Sequence, residues 1–515
     1  MLTSNELSLD RKTILVPEKL LDTVFEQSVE LDYVLPDYYP DFFRLLSCRA
    51  EPMITGRELR DKTLTISLSV KITVWYLAEN SPLIQVMTQK LSYQKQLPWQ
   101  SDCGLEDVRL LITPSPSYLN CRAVNSRRMD IRGAVRIAAQ AVGMTRKQIL
   151  SDVTGMYSHA RKIPVQYVSE IRRGEKRCTV SEEIPIPESQ PPLLSVLRED
   201  ITTRITETRC VAGKLVVKGE AMVTVLYTAK DSVETLSCPI ALSQIIEMDG
   251  LEEGMPCTVT AYAADHLLTT DADSSGDIRT LHLDIQLRYE CEAVRTDSEE
   301  LVTDLYSTVY PITLHSENLS LVTMPQAVKS QSQVKADICQ NEREIARVYA
   351  VWAAPKDMVL TADGDSGTFV LQGALHCHVL AADAEGMPML LEHTEPVSIP
   401  YAGGGMLPAI TVTNCSYMLS SANCVAVSAE LTLTDHQLRT TEYSLLTDAE
   451  VGGDGTNRIC GGTDYALRLY YAQQDESIWE IAKRYHTAAD AIMEENDCTE
   501  DILPKPQMLL IPIVQ

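Results

Sequence analysis

The sequence predicts a mainly β protein: tandem antiparallel β-sandwich-like repeats followed by a small βααβ module. Three observations carry this. Long stretches alternate apolar and polar residues with a period of two. Apolar and proline positions recur 151 residues apart, with no gap over forty residues. The last fifty residues switch to a helical period between two short strands.

Taken in order, Thr13-Ile14-Leu15-Val16 reads as an early strand and Glu18–Gln27 as a short helical piece. From Val29 the recurring unit begins. Leu35-Pro36 matches Ile186-Pro187, Pro40 matches Pro191, and Phe43 and Leu46 match Leu194 and Leu197. Ile66, Val70, Ile72, Val74 and Tyr76 match Val217, Ala221, Val223, Val225 and Tyr227. A more diverged third copy aligns Lys218–Leu226 with Gln372–Leu380 at a spacing of 154.

Within each copy the strands are rich in β-branched residues: Thr65–Val74, Leu215–Tyr227, and later Met129–Ile137, Leu281–Leu287 and Val425–Leu433. Polar turns such as Ala229-Lys230-Asp231-Ser232 precede return strands, for example Leu83–Thr88 and Met389–His393. One apolar and one polar face per strand is the pattern of antiparallel sheets. The expected domains are residues 1–160, 161–305 and 306–450. Thr145–Ser181 and Thr296–Leu319 read as polar connectors, and the glycine-rich 451–464 as a flexible tether to a final domain, 465–515.

In that last stretch Leu469–Ala472 is a strand and Asp475-Glu476-Ser477 an acidic, hydroxylic helix start. Ile478, Ile481, Ala482 and Tyr485 share one helix face. A second helix spans Ala488–Glu495 with Asn496 at its C-terminal cap, and Met508–Pro512 closes as a strand.

Tyr470, Ile478, Ile481, Ala482, Tyr485, Asn496, Gln507, Leu509, Ile511 and Pro512 make this stretch resemble the LysM domain, a βααβ module usually found on N-acetylglucosamine polymers such as peptidoglycan. Two of that family's loop glycines are Asp475 and Pro506 here. In the LysM domain the loops before the first helix and after the second line one groove; that resemblance implies a binding surface of Asp475, Glu476, Ser477 and Ile478 near Asn496 and Leu503, extended by Leu467, with the Trp479 ring partly covered and offered as a partner anchor. Three β copies ahead of one such module resemble the SipL-type spore coat morphogenesis proteins, which carry SPOCS domains before a LysM domain. The residues behind this are Val34-Leu35-Pro36-Asp37 and Ile186-Pro187, each leading to a long strand ending in Tyr76 or Val223–Tyr227. The resemblance implies a non-enzymatic scaffold in the mother-cell cytoplasm at the forespore surface. Its LysM domain would engage the SpoIVA coat-basement ATPase, with other coat proteins as further partners. A wall or cortex protein that binds peptidoglycan through its LysM domain is the alternative.

Composition points the same way. A net charge of −26 disfavours nucleic acid and anionic membrane as partners. No apolar run approaches a membrane span and the N-terminus lacks a signal-peptide pattern, so membrane insertion and export are not expected. The fourteen cysteines never come closer than nine residues, which suggests buried thiols in a reducing compartment. No phosphate loop, nucleophile elbow or zinc-protease motif is present, so no catalytic residue and no cofactor is expected. Gly403-Gly404-Gly405 reads as a turn, and Asp271–Asp277 as a hairpin turn because the closing position of a calcium loop is His282. His376 and His378, two apart on a strand, read as a solvent-facing pair, with a metal site as the alternative. Arg172, Arg173, Lys176 and Arg177 read as a solvated linker, or as a patch for an acidic partner.

Overall fold

The computed structural model describes residues 6–79, 81–101, 108–211, 213–230, 232–340, 343–363, 368–402, 407–452 and 467–512. Most of the 451–464 tether and Gly403-Gly404-Gly405 lie outside them. The chain is mainly β, with all sheets antiparallel.

One strand plan occurs three times. The first unit runs β1 (Ser8–Val34), β2 (Arg44–Arg60), β3 (Thr63–Leu77), β4 (Ile84–Pro98), β5 (Arg109–Asn125) and β6 (Arg128–Thr154). The second runs β7 (Ser158–Pro185), β8 (Ser195–Val211), β9 (Lys214–Thr228), β10 (Val233–Glu247), β11 (Cys257–Ala272) and β12 (Ile278–Ser307). The third runs β13 (Ile312–Cys339), β14 (Arg347–Asp363), β15 (Thr368–Ala382), β16 (Pro388–Tyr401), β17 (Ala409–Ser421) and β18 (Cys424–Val451). In each unit strands two, three and four form one sheet, and strands one, six and five another, in those orders. Buried residues of both sheets share a core: in the second unit Leu215, Val217, Val223 and Val225 of β9 meet Leu281, Leu283, Ile285 and Leu287 of β12.

Equivalent residues also make equivalent bonds. Tyr76 Oη donates to the Pro40 carbonyl at 3.0 Å, and Tyr227 Oη to the Pro191 carbonyl at 3.1 Å.

Two expectations of secondary structure are corrected here. Glu18–Gln27 is not helical; it lies inside β1, with Glu18 opposite Gly143 and Gln27 opposite Val135. A bulge at Leu20 shifts the phase of the alternation, from even positions such as Ile14 and Val16 facing inward to odd ones such as Phe25 and Val29. That phase slip imitates a helical spacing in the sequence. The connectors Thr145–Ser181 and Thr296–Leu319 are also strand over most of their length. The first is the turn from β6 into β7, at Gly155 (φ 92°), Met156 (φ 51°) and Tyr157 (φ 53°), which carries the chain from one sheet into another. Their many charged residues face outward, while Ile149, Val165, Tyr167, Leu301 and Leu319 are buried.

The long strands that these turns join bring the three units together. Ile14, Val165 and Leu319, equivalent in the three units, lie in one core with Ile149, Leu301 and Leu445. A separate junction joins Trp75, Leu226 and Leu380, spaced 151 and 154 apart.

The Arg172–Arg177 cluster sits on β7 and is neutralised within the chain. Arg172 pairs with Glu170, Arg173 with Glu292 at 2.9 Å and Arg177 with Glu175 at 2.8 Å, and Lys176 donates to the Ile245 carbonyl at 2.8 Å. Asp271–Asp277 is a hairpin turn in which Asp273 Oδ1 accepts from the Ser275 and Asp277 amides. Cys339 and Cys424 stand opposite each other in the β13–β18 register and form a disulfide, against the expectation of free thiols throughout. Local spacing could not reveal a pair 85 residues apart. No helix among the described residues is long and apolar enough to cross a membrane.

Candidate functional site

The C-terminal module is β19 (Leu467–Ala472), α1 (Ile478–Tyr485), α2 (Ala489–Glu495) and β20 (Gln507–Pro512), with β19 and β20 paired antiparallel. Ile478, Ile481, Ala482, Ile492, Leu503, Leu509 and Ile511 fill its core. Asp475 takes φ +65°, a left-handed conformation that glycine adopts most easily and Asp tolerates better than most residues.

Of the eight residues expected to bind a partner, five are engaged inside the module. Ile478 and Leu503 are fully buried. Glu476 accepts from the Tyr470 hydroxyl at 2.6 Å and the Gln473 amide at 3.0 Å. Ser477 Oγ donates to Asp501 at 2.9 Å. Asn496 Nδ2 donates to the Ile492 and Leu510 carbonyls, and its Oδ1 accepts from the Leu510 amide, all at 2.7 Å, so its amide ties α2 to β20. The segment Asp475–Ile478 does run beside Leu503, through Asp475 N to Leu503 O at 2.9 Å and Leu503 N to Glu476 O at 3.1 Å. Leu467 and Asp475 are exposed.

Trp479 is the eighth, and against the expectation of a partly covered ring the residue is buried, 8% exposed. Its cover comes from the second β unit. Trp479 Nε1 donates to Asp304 Oδ2 at 2.7 Å, and its ring meets Tyr306 edge-on at a centroid distance of 4.9 Å. Lys483, one turn on and on the same helix face, reaches Asp304 Oδ1 at 2.6 Å. Tyr306 stacks on His159 and donates its hydroxyl to the Thr487 carbonyl at 2.8 Å. Burial pushes the Tyr306 phenol well above its ordinary pKa, so it remains a donor. Arg161 bridges to Asp501 at 3.1 Å. Asp501 in turn accepts from the Trp479 amide at 2.8 Å, so it caps the start of α1 from outside the helix.

Asp304 belongs to a device built three times. At Ser151-Asp152, Thr303-Asp304 and Thr447-Asp448 the ladder bulges. Each hydroxyl donates to a carbonyl across the ladder, that of Asp10, Arg161 or His315, at 3.2 Å. Each aspartate accepts from the next amide, at 2.8 to 3.0 Å. Each then pairs with a cation: Asp152 with Lys162 at 2.7 Å, Asp448 with Arg11 at 2.6 Å, and Asp304 with Lys483. Arg11, Lys162 and Ser316 face equivalent ladder positions, Leu150, Val302 and Leu446. The third unit thus carries a serine where the others carry a cation, and the C-terminal module supplies the missing charge. Sequence reasoning missed Asp304, although a Ser/Thr-Asp-aliphatic triplet at 151, 303 and 447 was there to read.

The face of the β19–β20 pair turned away from the core is apolar and open. Leu467, Leu469 and Tyr471 alternate on it, and Met508 stands opposite Tyr471; all four are exposed.

Residues 192–269, from just before β8 into β11 of the second unit, match the family model described as SipL, SPOCS domain. No curated protein and no solved structure matches the chain. The match supports a SipL-type protein over the stretch that it covers.

Proposed function

We propose that this chain is a non-enzymatic scaffold of spore envelope assembly, acting in the mother-cell cytoplasm at the forespore surface. The observation that carries the reading is the SPOCS-domain match over residues 192–269, inside a unit whose strand plan occurs twice more. The three β units form the body. The C-terminal module, read as a LysM domain, recruits a coat ATPase of the SpoIVA type. With Trp479 turned inward, the surface left for that partner is the apolar face of Leu467, Leu469, Tyr471 and Met508. Exposed apolar patches of this kind mark interaction sites.

The test is co-purification of the full chain with the SpoIVA-type ATPase, beside sedimentation with insoluble peptidoglycan. Leu469→Asp with Tyr471→Asp should abolish ATPase binding, while Trp479→Phe should leave it. Retention on peptidoglycan without ATPase binding would replace this reading with a glycan-binding one. A fluorescent fusion that fails to gather at the forespore would end the localisation.

A further inference from the structure

Outside the module, one group of side chains has the composition and geometry of a ligand set. His376 and His378 lie two apart on β15 and therefore on one face of the strand. Leu375, Cys377 and Val379 fill the opposite, buried face. In the β15–β16 ladder His378 stands directly opposite Glu392, which places a carboxylate against the pair. One ligand atom from each of the three residues lies within 4.8 Å of the other two.

We propose that His376, His378 and Glu392 form a binding site for a divalent cation of the zinc type, with two imidazole nitrogens and one carboxylate oxygen as ligands and a fourth position open.

The strongest geometric support is the His378–Glu392 pair. His378 Nδ1 lies 3.3 Å from Glu392 Oε1, yet this buried nitrogen makes no hydrogen bond. Two ligands on a tetrahedral ion with bonds of about 2.05 Å are separated by about 3.3 Å. The pair is therefore spaced as adjacent ligands of one ion would be. A buried polar atom without a partner is costly and calls for a ligand or a function. His376 completes the set, with its ring centroid 4.3 Å from that of His378 and tilted by 47°.

The surroundings hold the rings in place. Trp352 on β14 stacks on His378 at 5.1 Å with an interplanar angle of 11°. Packing that fixes a ligand ring is a common support of metal sites. Two histidines and a glutamate are a ligand set that zinc uses where it keeps one position for water or an incoming group. Glu392 is 46% exposed, so that position faces solvent.

The experiment uses the full chain, stripped with a chelator. Zinc is titrated against a chromophoric competitor, and Co²⁺ serves as a spectroscopic probe. We expect one Zn²⁺ per chain and a Co²⁺ spectrum of nitrogen and oxygen ligands. Glu392→Gln should weaken binding about tenfold or more. The His376→Ala, His378→Ala double variant should abolish it, with circular dichroism unchanged. Should the double variant not fold, Glu392→Gln decides alone. Absence of stoichiometric binding, undiminished binding by Glu392→Gln, or thiolate-to-cobalt charge transfer would each overturn the site.

Discussion

Lys483 stands against Asp304 as Lys162 stands against Asp152 and Arg11 against Asp448, although Lys483 belongs to a different domain from the other two cations. The module is held where the internal symmetry of the β body lacks a charge. Asp304→Ala removes the acceptor of both Trp479 Nε1 and Lys483, contacts to a charged group worth about 1.5–3 kcal/mol each. The expected outcome is faster amide exchange over residues 478–487. Asp152→Ala should leave that exchange unchanged, because Asp152 serves a different seam.

The two buried tyrosine bonds give a matched pair of variants. Tyr76→Phe and Tyr227→Phe each remove one hydrogen bond to a proline carbonyl 36 residues earlier. Each should cost about 0.5–1.5 kcal/mol, and the two costs should agree. Urea unfolding of the single variants measures this. One large and one negligible loss would contradict the equivalence of the two positions.

Acid should loosen the seam between the first and second units. Burial pushes Glu199 up, but the His266 ring and the Lys71 ammonium outweigh it and hold the carboxyl at about 2, against 4.5 in the unfolded chain. A depressed carboxylate stabilises the fold above its unfolded pKa, and that contribution fades as pH falls from about 4.5 towards 2. Glu199→Gln should therefore lower stability at neutral pH and flatten its dependence on pH in that window. Stability measured from pH 7 to 2 tests the slope.

The Cys339–Cys424 bond closes a loop of 85 residues, which by loop-closure entropy is worth about 4.6 kcal/mol to the third unit. Two other cysteines of that unit should not disturb it. Burial pushes Cys377 up to about 11 and Cys415 up to about 12, so neither supplies a thiolate at neutral pH. Dithiothreitol should lower the melting temperature of the wild-type chain and leave Cys339→Ser with Cys424→Ser unchanged.

The strands were legible because their alternation is local. Thr65–Val74 and Leu215–Tyr227 lie inside β3 and β9, and both carry the apolar faces that build the cores. What local reading missed depends on partners far away in sequence. Leu20 bulges only because β1 has β6 to pair with, and Cys339 meets Cys424 only through the β13–β18 register. At the module, helix periodicity marked Ile478 and Ile481 as core. The position of Trp479 could not be read, because its cover lies in Asp304 and Tyr306, 175 and 173 residues away.

The pairing of Arg11 with Asp448 has a consequence for how such a chain can vary. In a linear array of repeats the end units have one neighbour each, and copies can be added or lost at little cost. Here the last β unit grips the first, and Ile14, Val165 and Leu319 share one interior. The assembly is a closed circuit, so its copy number is fixed by geometry at three. Loss of one copy would open the shared interior to water on one side, and a fourth would have no gap to enter. Divergence within a copy is the freedom left to it, and the serine at position 316 is where that freedom gave the C-terminal module its place.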